Sequence, residues 1–228
     1  MYHPDAFNSA GLFQNLGGWI RSTPAESKLH FYFSALLQRA HHALFHIAES
    51  ERLQVVAGAQ FASSLADVPV NVIELRGASP VVSATIIHIT AALAAIRILQ
   101  DDVWQLLRER SGARNAPNSI RNAVDALSAG LVGPTRSASR RPPAWCTAVP
   151  TPLAASLVEY WSVSGGRVAT YRDMDQHHNV IATGCFVTFD AGRTVAATVV
   201  LPDNPEVKSV AKYRYSQRID GVGPHAPS

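Results

Sequence analysis

The sequence predicts a mainly α protein: a helical bundle of long antiparallel helices with a small C-terminal antiparallel β-hairpin or three-stranded β element. Three observations predict it. Two long stretches, 27–60 and 79–111, repeat apolar residues at steps of three and four, the spacing that lines one face of a helix. After His178 that period gives way to β-rich runs separated by turn residues. The chain of 228 residues is 47% apolar and only 16% charged, which is ample for a core without disulfide staples.

Residues 1–24 read as an N-terminal segment, and 25–179 as the helical domain. In the first long helix Phe33, Leu36, Leu37, Ala40, Leu44, Ile47 and Ala48 form the apolar face, with Thr23-Pro24 expected to supply its N-cap and first-turn proline. Asp67-Val68-Pro69 interrupts the pattern, and 70–75 is a short extended run closed by Gly77. The second long helix opens at Ser79-Pro80. Its seam Val82, Ile86, Ile89, Leu93, Ile96, Gln100, Val103 and Leu107 steps by four and three, and Ala91, Ala92, Ala94 and Ala95 permit close helix approach. Residues 81–99 are long enough to test for a membrane span, but Ser83, Thr85, His88, Thr90 and Arg97 favour a buried core helix, so no membrane association is expected.

A shorter helix is expected over 118–129, stopped by Gly130. Residues 133–152 carry five prolines with Arg136, Arg140 and Arg141, and read as an exposed loop, most flexible over 133–150. Thr151-Pro152 starts the next helix, with Leu153, Leu157, Tyr160 and Trp161 on its apolar face; Gly165-Gly166 kinks or divides it before Val168 and Tyr171 resume the pattern. Runs 180–189 and 194–201 are expected to pair as a hairpin across Asp190-Ala191-Gly192-Arg193. Alternation over 210–215 predicts a third strand, so 180–220 becomes a β element packed on the helices and 221–228 a tail.

Charge and cysteine content narrow the functional classes. The net charge of +3 arises from 17 arginines and three lysines against 17 acids, a weak field made of the cation suited to phosphate and carboxylate. Cys146 and Cys185 are too few for a disulfide framework or a cysteine zinc site, and Met1-Tyr2-His3-Pro4-Asp5 lacks the basic and apolar regions of a signal peptide. A cytoplasmic location is expected. Neither cysteine sits in a setting that would activate it, Ser162-Val163-Ser164-Gly165-Gly166 lacks the flanking glycines of a nucleophile elbow, and no phosphate loop is present.

The chemistry concentrates instead in Tyr171-Arg172-Asp173-Met174-Asp175-Gln176-His177-His178. On a helix, residues three and four apart are neighbours, so a guanidinium and an imidazole can meet one phosphate there. Arg172, four residues and His177, with a polar residue directly after the arginine, resemble the signature of the HEPN superfamily: an arginine, four to six residues, and a histidine. His178 also satisfies that spacing, and a second copy of it runs from Arg39 to His46. The resemblance implies metal-independent cleavage of RNA, of the toxin–antitoxin or RNA-processing type, in a cleft shared by two protomers. It implies no cofactor. It places Arg172 on the scissile phosphate, His177 or His178 in proton transfer or phosphate holding, and Asp173 as the residue that orients the arginine. RNA, a second copy of the chain and a cognate protein are the partners it implies.

Other readings of these residues stay open. Asp173, Asp175, His177 and His178 include oxygen and nitrogen donors suited to a metal-dependent hydrolase, and the run also suits a purely structural ion-pair cluster at a helix end. The alanine-rich helices fit a non-catalytic protein-interaction or ligand-binding module. Outside the run, His42 and His46 stand one helical turn apart and suit chelation, whereas His88 reads as a hydrogen-bonded core histidine.

Overall fold

In the computed structural model the described residues are 9–64, 72–76, 79–113, 115–132, 142–177, 184–190, 193–207, 209 and 212–214. The elements in chain order are α1 (Ser9–Ser22), α2 (Lys28–Ser64), β1 (Val72–Arg76), α3 (Pro80–Ser111), α4 (Ile120–Val132), a 3-10 turn (Ala144–Ala148), α5 (Thr151–Tyr160), one turn of π-helix (Trp161–Gly165), α6 (Gly166–His177), β2 (Gly184–Asp190) and β3 (Arg193–Thr198). The chain divides into two units: Met1–His42 with Ala95–Val168, and Ala43–Ala94 with Ala169–Ser228.

In the first unit α1 lies in the N-terminal segment, for which the sequence predicts no element. Gly17 and Gly18 weaken its local helical signal. Burial compensates, because Leu16 joins Leu36 and Leu106 in a cluster flanked by Leu29, Phe33, Leu99 and Val103. Thr23-Pro24 does not open α2. The Thr23 hydroxyl instead donates to the Trp19 carbonyl at 2.7 Å, closing α1, and Ser27 is the residue that caps α2, its Oγ accepting from His30 N at 3.1 Å. A second cluster surrounds the fully buried Trp104, with Ile120, Ala123, Val124, Leu127, Ala154 and Leu157. The Trp104 indole donates to the Pro117 carbonyl at 2.7 Å, so its one polar atom is satisfied inside the core.

α4 starts where the Asp101 carboxylate accepts from Ile120 N at 2.9 Å, and it runs past Gly130, the expected stop, to Val132. The expected loop over 133–152 is also corrected in part. Its residues 133–141 lie outside the described set, while Ala144–Ala148 forms the 3-10 turn and sets the Trp145 ring 5.8 Å from that of Trp104. Trp145, Cys146 and Val149 pack on that core, and so order a stretch whose proline content signals a loop.

In the second unit the backbone forms a three-stranded antiparallel sheet in the order β1-β2-β3. β1 pairs with β2 from Val72↔Thr188 to Arg76↔Gly184, and β2 pairs with β3 from Phe186↔Thr198 to Asp190↔Arg193, with a register shift at Thr188/Phe189. The ladder stops at Val199, whose N–H is taken by the Gln54 side chain of α2 at 3.1 Å. The Tyr171 hydroxyl of α6 donates to the Pro202 carbonyl, fixing the segment that follows β3.

The chain is mainly α-helical, but the expected bundle with a β element drawn from the C-terminal segment alone is corrected. β1 comes from between the two long helices, from the short extended run expected over 70–75. No third strand forms at Lys212, Tyr213 and Arg214; of the rest of that run, 210, 211 and 215 lie outside the described residues. The reason lies in buried Asn204. Its amide donates to the Lys212 carbonyl at 3.0 Å and its oxygen accepts from Arg214 N at 2.7 Å, so backbone groups that a strand would pair are already engaged.

Candidate functional site

α6 carries the arginine–histidine run, and its two faces differ. Tyr171 and Met174 are buried and root the helix in the second unit, whereas Arg172, Asp173 and Asp175 are half-buried and Gln176 is exposed. That division follows from helical geometry, since positions 171 and 174 share a face that 172, 173 and 176 leave.

Arg172 Nη1 lies 3.1 Å from Asp173 Oδ1, with about a third of each side chain exposed (33% and 35%). Adjacent residues on a helix do not stack as those three or four apart do, so this contact bends the guanidinium back across the helix surface. Two α6 positions on, Asp175 Oδ1 accepts from the Thr90 hydroxyl of α3 at 3.4 Å, which ties the motif helix to α3 inside the second unit. His177 is the last residue of α6; its side chain lies outside the description, and His178 lies outside the described residues altogether.

Among the described residues no group of three or more histidine, cysteine, aspartate or glutamate side chains is placed to hold a metal ion. Cys146 is a free thiol, half-buried, and burial pushes its pKa up, which makes it a poor nucleophile at neutral pH. The serines before Gly165-Gly166 lie in the π-helical turn. There the Gln100 amide donates to the Tyr160 hydroxyl at 2.8 Å and to the Gly165 carbonyl at 3.3 Å, so the segment is braced against α3 in the first unit.

One arrangement was not legible in the sequence. The Nδ1 atoms of His46 on α2 and His88 on α3 are 3.0 Å apart, with ring centroids separated by 5.1 Å and planes tilted by 50°. Both residues stand out as histidines in apolar helices. Their pairing is invisible at a separation of 42 residues, because it depends on how α2 and α3 meet. The Arg39 that opens the second arginine–histidine spacing lies in the other unit, where its Nε is 4.0 Å from Asp102. No family model matches this chain, and no curated protein or solved structure matches it either.

Proposed function

We propose that this chain is a HEPN-like helical protein that cleaves RNA without a metal ion, using Arg172 as the phosphate-binding cation and His177, or its neighbour His178, for proton transfer. The observation that carries the reading is the Arg172–Asp173 pair at 3.1 Å on the half-exposed side of α6. A guanidinium has five N–H donors, so one carboxylate contact orients it while leaving capacity for a phosphate. Buried Tyr171 and Met174 hold the helix beneath it, and a fixed cation on a rigid element is what stabilisation of developing negative charge requires.

In this mechanism a neutral imidazole takes the proton of a ribose 2′-hydroxyl as that oxygen attacks the adjacent phosphorus. Arg172 offsets the charge that builds on the phosphoryl oxygens, and the 5′-oxygen leaves with the proton that the imidazolium returns, giving a 2′,3′-cyclic phosphate. Asp173 acts as a positioning residue. Two copies of the chain, meeting at their α6 motifs, supply the groove for RNA.

Purified protein is expected to cut single-stranded RNA in the presence of a chelator. Arg172→Ala is expected to lower the rate by about 10²- to 10³-fold, and His177→Ala by about 10²- to 10⁴-fold. Asp173→Asn is expected to lower it less and to be partly tolerated, since an amide oxygen still accepts from the guanidinium. Cutting that survives undiminished in both the arginine and the histidine variants overturns the reading. Sedimentation of the same samples tests the dimer, whose absence in an active enzyme removes the shared groove.

A further inference from the structure

We propose that His46 and His88 form a two-imidazole chelate for a divalent transition-metal ion of the kind imidazole binds, copper, nickel or zinc. This site lies wholly in the second unit, on two packed helices, and shares no residue with the arginine–histidine motif.

The ligand type sets the ion class, since imidazole suits copper, nickel and zinc. Imidazole nitrogens bind such ions at about 2.0–2.1 Å. The two Nδ1 atoms, 3.0 Å apart, are close enough for one ion to bind both once their hydrogen bond is broken. Phe45 presents its ring to both imidazoles, at centroid distances of 5.2 Å from His46 and 6.1 Å from His88, and so limits their rotation on one side.

In the metal-free pair one Nδ1–H donates to the other Nδ1. Binding requires both Nδ1 lone pairs, so that proton shifts to the Nε2 of its own ring and no proton leaves the protein. Among the described residues no third ligand of the usual types joins the pair, so water or a bound donor molecule fills the remaining positions. Imidazoles already held side by side on two helices lose little freedom when the ion arrives.

The probe is Cu(II), titrated into chelator-treated protein and followed by calorimetry and electron paramagnetic resonance. Every sample carries His3→Ala, which removes the amino-terminal histidine as a rival donor. One equivalent per chain with two nitrogen donors is expected. His46→Ala and His88→Ala should each weaken binding at least about tenfold, and His30→Asn should leave it unchanged. Binding that is unaffected by both single alanine variants overturns the site. If either variant loses helical circular dichroism, the imidazole ¹⁵N spectrum of the protein with Zn(II) decides instead: coordination moves the Nδ1 resonances of both histidines. Unchanged resonances would mean a hydrogen bond only, and would overturn the proposal.

Discussion

Single residues decide how charge is carried inside this protein, and Asp102 is the clearest case. Burial raises its pKa, the Arg39 guanidinium at 4.0 Å lowers it, and neighbouring Asp101 raises it again; the net direction is upward. A carboxyl whose folded pKa exceeds its unfolded value holds its proton more tightly in the native state. Its favourable contribution is therefore complete below the unfolded value of about 4 and is lost as pH rises through the folded value. At neutral pH the ionised group is a net cost. Asp102→Asn is thus expected to raise the urea midpoint at pH 7, with the gain shrinking to nothing as the pH falls below about 4. A midpoint at pH 7 equal to or below that of the parent protein would show that the Arg39 attraction outweighs desolvation.

At the scale of elements, the π-helical turn between α5 and α6 has an identifiable cause and an identifiable weak point. A Cβ added at Gly165 would lie 2.7 Å from Tyr160 Cε1 and 3.1 Å from Trp161 Cε3. Tyr160 cannot swing aside freely, because its hydroxyl is held by Gln100, a residue with 4% exposure. Overpacking of this kind costs about 1–3 kcal/mol, against a helix-propensity gain of about 1 kcal/mol for replacing glycine with alanine. Gly165→Ala is therefore expected to lower the thermal midpoint by several degrees; an increase would mean that the ring moves and the turn relaxes to ordinary α-helix. The sequence marks Gly165-Gly166 as an interruption of the helix. It does not distinguish a kink from a π-turn, because that choice depends on Gln100, which lies 65 residues away in the chain from Gly165. The ends of α1 and α2 follow the same rule: Ser27 and Thr23 are both plausible caps by residue type, and only the path of the chain assigns Thr23 to the helix before it.

At the scale of the whole molecule, α3 carries the widest consequences. By length and composition it can cross a membrane, and 33% of its most apolar window is buried within the structure. Its buried Thr85 donates to the Val81 carbonyl, Gln100 is hydrogen-bonded to two groups outside its own helix, and Arg97 pairs with Asp101 at 2.8 Å. Burying such groups in hydrocarbon is costly, so the expected outcome of alkaline carbonate extraction is release of the protein into the supernatant; retention in the pellet would assign α3 to the bilayer. The sequence by itself determined the mainly helical character, the long helices and the position of the arginine–histidine run, because apolar period and turn chemistry act over a few residues and are written locally. The tertiary structure decided the rest. β1 found its partner in β2, Asn204 took the backbone groups expected to form a strand, Asp175 turned to Thr90, and His46 met His88. Each of these is a contact between groups whose approach is set by packing, and packing is a property of surfaces brought together by folding rather than of neighbours along the chain.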